Sequence, residues 1–343
     1  MSSIWNNRIS ISIFGESDGP AIGVTIDDLP SGEYIDVEEL SKFMARRTIG
    51  LRSASGNAVP HILSGISNNR TTGAPLCAFV QNVPSKPSQP LRTAPTSRIG
   101  HADYTGAVQY RDFSDFKDKG NFSQKMTIPL CFAGAVCAQI LERRGIYTGA
   151  HIASIHGFKD NPFDPVNITR DGVRSIRGKS FPVINDRRGW VMLEDIRRAE
   201  SARETLGGVV ECACVNVPAG VGSPVFNGLE NNIAQLVFGI PGVTGIEFGT
   251  GFRSASMVGS QSSDRFYLNE RGYLASHTNN HGGILGGISS GMPVTLKVAF
   301  SPDLSTGSEE EHETCTVPAA VASVEAAVNI ALLSQMIDYP NFC

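Results

Sequence analysis

Residues 317–337 read VPAAVASVEAAVNIALLSQMI, and the reading of that stretch decides the fold. Its length and apolar content would suit a bilayer span. It is alanine-rich, however, and carries Glu325, Asn329 and Gln335, three side chains that are costly in hydrocarbon. A helix buried inside a protein is the better reading. A second segment of the same kind, PLCFAGAVCAQILERR at 129–144, opens with Pro129 in its first turn and is stopped by Gly145. Both helices are apolar or small on nearly every face, so neither has a side to give to water. The simplest arrangement sets them side by side between sheets that cover their outer faces.

The rest of the chain supplies those sheets. Residues 9–14 alternate and are β-branched, which predicts a strand, with 24–26 as its hairpin partner. Further strands are predicted at 75–80, 209–217 and 243–248, and an amphipathic helix at 229–238. Asp36 and Glu39 form a capping box that opens a helix with the apolar face Val37, Leu40, Phe43 and Met44, ending in Arg46-Arg47. The proline-rich run at 84–96 reads as surface loop, and SARET at 201–205 as a charged helix end. No stretch has the character of a domain linker. The expectation is one α/β domain of the α+β sandwich kind over residues 1–343.

Charge and cysteine usage exclude several classes. Lys+Arg 29 against Asp+Glu 33 gives a net charge of −4, so no global positive field argues for nucleic acid or an anionic membrane. Any anion must be held by a local basic cluster. The seven cysteines show neither CxxC pairs nor finger spacing, which predicts reduced thiols in a cytoplasmic protein and no metal site. The N-terminus lacks the basic and continuous apolar regions of a signal peptide.

Three stretches carry candidate chemistry. NNHGGILGGISSGMP at 279–293 packs five glycines around one histidine, yet matches neither the P-loop nor the dinucleotide fingerprint. It is either a close backbone approach to a ligand or a glycine-rich turn between strands. Arg46-Arg47 at a helix end answers either the helix dipole or an anion. His101 stands between glycines in the polar run 100–106, read as a loop, a placement suited to catalysis. The basic, glycine-broken KDKGNFSQK at 117–125 leads into the first apolar helix.

With these residues laid out, the chain resembles the chorismate synthase family over nearly its full length. The similar blocks are FGESDGPAIGVTID (14–27), RRTIG (46–50), ILSGISNNRTTGAPLCAFVQN (62–82), GHADYTGAVQY (100–110), GNFSQKMTIPLCFAGAV (120–136), VPAGVGSPVFNGLENNIAQLVFGIPGVTGIEFGTGF (217–252) and TNNHGGILGGISSGMP (278–293). The resemblance implies long buried helices between antiparallel sheets, a homotetramer and a reduced FMN cofactor. NADPH would be a candidate reductant, though nothing in the residues indicates it. The reaction implied is the anti-1,4-elimination of phosphate from 5-enolpyruvylshikimate 3-phosphate to chorismate, within aromatic amino acid biosynthesis. It further implies Arg46, Arg47 and Lys125 on the anionic substrate. His101 would supply a proton to the departing phosphate. Ser123, Gly286, Pro302 and Ser305 would lie at FMN.

Some motif positions depart from the family pattern. The family's GESHG histidine is Asp18 here, which takes its place in the catalytic set, and Lys125 stands where an arginine is usual. Pro302 and Ser305 flank Asp303 in a run that usually carries a lysine. Glu311 and Glu313 fall in a usually basic run, and Ala319 replaces an arginine. Lys125 keeps the charge of the usual arginine and loses its two-pronged fork, whereas the changes at Asp18, Asp303, Glu311 and Ala319 remove positive charge or add negative charge. Two readings therefore stand at this level: a divergent synthase, or a catalytically impaired or repurposed relative acting by binding or assembly. A generic flavin oxidoreductase lacks the dinucleotide fingerprint.

Overall fold

The structure, a computed structural model, describes residues 3–17, 19–49, 59–82, 102–111, 120–270, 274–302 and 313–339. The hydrophobic run that opened the sequence becomes the helix Val317–Met336, and all twenty of its residues are buried. Its companion is Thr127–Arg143, buried along all but its C-terminal end, where Gly145 with φ +78° turns the chain away. The two helices pack closely because Gly134 faces Ala326; a Cβ on Gly134 would stand 2.2 Å from the Ala326 Cβ.

Two five-stranded antiparallel sheets sandwich this pair. The first runs Ile4–Asn6, Ser10–Gly15, Ala21–Asp27, Leu76–Gln81, His61–Ser64 in spatial order. The second runs Val243–Phe248, Val294–Phe300, Gly208–Val215, Tyr147–Ile155, Phe158–Lys159. Helix Thr127–Arg143 packs on the first sheet and Val317–Met336 on the second. Ile22, Val24 and Ile26 alternate inward from the first sheet, while Val210, Cys212, Val294 and Leu296 do so from the second. One contiguous core joins both sheets through the helices. The amides of Arg8 and Ile9 both donate to Ser334 Oγ, at 3.1 and 3.2 Å, tying the first sheet to the last central helix.

The predicted strands and the helices Val37–Ala45 and Leu229–Val237 stand within a few residues of their expected bounds. The SARET run forms the end of helix Asp186–Ala202, capped by Arg203 at φ +56°. Three local expectations need correction. Asp36 accepts from the Glu38 and Glu39 amides at 2.8 and 3.2 Å, but Glu39 pairs with Lys42 instead of closing the box. Val37 is exposed, because it sits in the first turn on the outer side of that helix. Residues 103–106, the second half of the run 100–106 expected as loop, instead open the helix Asp103–Tyr110; Thr105 Oγ1 bonds back to Ala102 O and stabilises its first turn. The run 84–96 lies outside the described residues.

Candidate functional site

The helix opened by Asp36 runs directly into a single 3₁₀ turn, Arg46–Thr48, and the two arginines of that turn part company. Arg46 reaches the central helix and grips Glu325 with both guanidinium prongs, Nη1 to Oε2 at 2.7 Å and Nη2 to Oε1 at 2.6 Å. Arg47 reaches the start of the other central helix, donating from Nε to Thr127 Oγ1 at 2.7 Å and from Nη2 to Gln124 O at 3.1 Å. Arg47 is 8% exposed and has no carboxylate partner among the described residues. Burial pulls its pKa below the ordinary arginine value.

Around Arg47 the chain gathers further positive ends. Residues Gly120–Phe122 and Gln124–Met126 form two short 3₁₀ turns that feed helix Thr127–Arg143, so the positive end of that helix dipole points here. Ser123 is 5% exposed; its Oγ caps the second turn by accepting from the Lys125 amide at 3.2 Å. Lys125 Nζ stands 3.4 Å from Ser17 O. Asn82 Nδ2 donates to the carbonyls of Glu16 and Gly19, which closes the turn that carries Ser17. Ser17 is 1% exposed, and among the described residues its hydroxyl finds no hydrogen-bond partner. A buried orphan hydroxyl costs about 1–3 kcal/mol unless something else satisfies it. Beside the turn, a groove of about 480 Å³ is lined by Phe14, Gly15, Glu16, Gly19 and Asn121.

The structure thus brings Arg47, Lys125 and Ser123 into one cationic corner, together with Ser17. It places Arg46 beside the corner but turned inward. Gly286 is carried by a different element, the hairpin of Ile284–Leu285 and Ile288–Ser289. Gly286 and Gly287 take φ of +60° and +86°, so the glycine-rich stretch is a turn between strands in form. A Cβ on Gly287 would stand 2.2 Å from Ser223 O, whereas one on Gly286 would meet nothing within 4 Å, leaving open backbone there. Pro302 follows strand Val294–Phe300 and abuts Gly207. Asp18, His101 and Ser305 lie outside the described residues, as do Asp303 and Glu311. Ala319 is buried in the first turn of the central helix.

Two polar clusters were missed in the sequence. One surrounds Glu325, which takes Arg46, the Ala150 amide at 2.9 Å and Arg177 Nε at 3.3 Å; this last contact lies within ion-pair range without hydrogen-bond alignment. Burial alone would push this carboxyl up, but Arg46, then Arg177 and the Ala150 amide, more than cancel that and hold it below the ordinary range. The signal was available: a carboxylate inside an apolar helix requires a buried cation. The other cluster is His151, fully buried, with Nδ1 3.1 Å from Asp160 Oδ2 and Nε2 2.8 Å from Glu211 Oε2. Near the glycine-rich hairpin, His281 Nδ1 lies 2.8 Å from Asp264 Oδ2.

Fold and corner together define an α+β sandwich with cationic side chains, Arg47 and Lys125, gathered at the start of one of its buried helices. The family model for chorismate synthase matches residues 9–337 of the chain. A chorismate synthase of Thermococcus gammatolerans is 36% identical over 351 residues, covering 96% of each chain. One from Dehalococcoides mccartyi is 36% identical, covering 97% of this chain and 96% of its own. A crystal structure of chorismate synthase superposes with a TM-score of 0.81 at 25% identity, covering 98% of this chain and 94% of that one. The chain belongs to the chorismate synthase family.

Proposed function

We propose that this chain performs the reaction its relatives are named for, converting 5-enolpyruvylshikimate 3-phosphate to chorismate and inorganic phosphate. In a 1,4-elimination of this kind one C–O bond breaks to release phosphate, and one proton leaves from the far end of the reacting carbon stretch. The observation that carries the reading is Arg47, a buried arginine with no carboxylate partner among the described residues, beside Lys125 and a helix N-terminus. Charge of this kind is retained where an anion arrives to satisfy it. Arg47 and Lys125 take the substrate's anionic groups, Arg46 acts through the turn it shares with Arg47, and His101 delivers a proton to the departing phosphate. Asp18 stands in the remaining acid–base position.

The unpartnered Ser17 hydroxyl and the cationic groups beside it suit a second phosphate-bearing group, so the residues fit FMN. Ser123 and Gly286, with Pro302 and Ser305, are the positions assigned to hold it. When bound in its reduced form, FMN would supply electron density to the reacting ring with no net redox change; NADPH is a candidate for its reductant that no residue indicates. Residues 1–343 act as one domain in a cytoplasmic homotetramer, for which exposed apolar side chains such as Phe226, Phe252 and Leu268 offer contact area.

The test is Arg47→Met, which keeps the side chain's length and removes its charge. Calorimetric affinity for the substrate and for inorganic phosphate should fall by roughly 10- to 100-fold, the scale of one charge-assisted contact. Phosphate release should fall with it. A folded Arg47→Met protein that binds both anions as the parent does overturns the assignment of the corner.

A further inference from the structure

The established reading leaves Glu325 without a role. It is an ionised carboxylate at the centre of a helix whose every residue is buried, the least hospitable place in the molecule for a charge. One side chain there ties three elements to the central helix: the Arg46–Thr48 turn, strand Tyr147–Ile155 through Ala150, and helix Arg170–Arg177 through Arg177. Arg177 in turn is held by Glu142 and by the carbonyl of Thr148.

The geometry at Arg46 matters most. A guanidinium and a carboxylate joined by two parallel bonds have a defined plane and direction, unlike a point-charge contact. Arg46 and Arg47 are consecutive in a turn of three residues, so fixing one guanidinium fixes the backbone from which the other departs. Arg47 is then caught from the opposite side by Thr127 and Gln124 at the start of the second central helix. The turn is strung between the two helices by its own arginines. The Arg46 charge is cancelled by Glu325, while that of Arg47 is left for a ligand.

We propose that Glu325 is a positioning residue for the anion corner: its two-pronged pair with Arg46 sets the Arg46–Thr48 turn and thereby aims Arg47 at the substrate's phosphate. This rests on the reading of the corner given above. Glu325 meets no ligand itself and acts through Arg46.

Three variants test it, with inorganic phosphate and the phosphorylated substrate as probes. Glu325→Gln keeps shape and removes the charge that orients Arg46; Glu325→Asp keeps the charge and shortens its reach. The double variant Arg46→Met/Glu325→Met removes the pair whole, which spares the fold an unpaired buried charge. If Glu325 positions Arg47, phosphate affinity should fall and KM rise about tenfold or more in Glu325→Gln and in the double variant. In both, kcat should change by less than about threefold, the signature of lost binding that is shared by ground and transition states. Glu325→Asp should restore part of the affinity. Should Glu325→Gln fail to fold, the double variant decides. A stable double variant with parental phosphate affinity overturns the proposal and leaves Glu325 a structural residue only. Arg47→Met is the reference: if it too leaves phosphate affinity unchanged, the fault lies with the corner's assignment and not with Glu325.

Discussion

His151 shows how much a single buried side chain can couple the fold to pH. It lies on strand Tyr147–Ile155 with a carboxylate on each ring nitrogen, Asp160 and Glu211, and Phe163 edge-on at 4.7 Å. Burial opposes its charge, but the hydrogen bonds and charges of the two carboxylates outweigh burial and raise its pKa above the ordinary value. Asp160 feels the same pair from the other side. Burial would raise it, yet His151 and the amides of Ile184 and Asn185 bring it below the ordinary carboxyl range. The sign follows: the His151 contribution to stability is complete below its unfolded pKa of about 6.5 and is lost as pH rises through the folded value. The Asp160 contribution is present above about 3.9 and is lost as pH falls. The melting temperature should therefore hold from about pH 5 to 6.5 and decline above it, and His151→Gln should flatten that decline. A parental melting temperature that stays level from about pH 6.5 to 9 would show the imidazole to be neutral. At Asp18 the expectation rests on chemistry alone. Asp18→His restores a group that can donate a proton near pH 7, and it should raise anaerobic phosphate release with reduced FMN by roughly 10²-fold, the usual scale of one acid–base group.

Among the elements, what was legible followed from periodicity and what was not followed from partners distant in sequence. The two buried helices announced themselves because nothing apolar on every side can face water, and the cap at Asp36 is local chemistry. The corner was half legible: Arg46 and Arg47 read as equals, since nothing nearby in sequence reveals that Glu325, 279 residues on, consumes one of them. The Ser17 hydroxyl likewise becomes conspicuous only once Asn82 has folded the turn around it. Residues 103–106 read as part of a loop because their glycine and polar side chains masked the start of a short helix. The helix pair offers a direct test in Gly134→Ala. The new Cβ would fall 2.2 Å from that of Ala326, so the helices must separate. The expected cost is about 1–3 kcal/mol, read as a lower denaturant midpoint with an unchanged slope. An unchanged midpoint would mean that the contact closes with slack to spare.

Across the whole molecule, a net charge of −4 surrounds a local cationic corner. Long-range attraction for anions is weak in such a field, and binding depends on short-range contacts that salt screens only in part. With Asp303 and Glu311 at positions that are neutral or basic in the family pattern, FMN should bind with a dissociation constant above about 1 μM, and more weakly as salt rises. Flavin fluorescence quenching that gave a submicromolar value at physiological salt would sink this expectation. The same global view gives the helix Val317–Met336 another meaning. It fills the space between two sheets whose strands were all made before it, and its Ser334 receives the amides of Arg8 and Ile9 near the other end of the chain. A ribosome adding about 5–20 residues per second needs roughly 15–60 s to reach it. Until then helix Thr127–Arg143 can cover the first sheet, but the inner face of the second sheet and the side of that helix turned toward it wait uncovered. A chain that stops anywhere before Val317 keeps half of its filling, helix Thr127–Arg143, and leaves the apolar face of the second sheet bare to water.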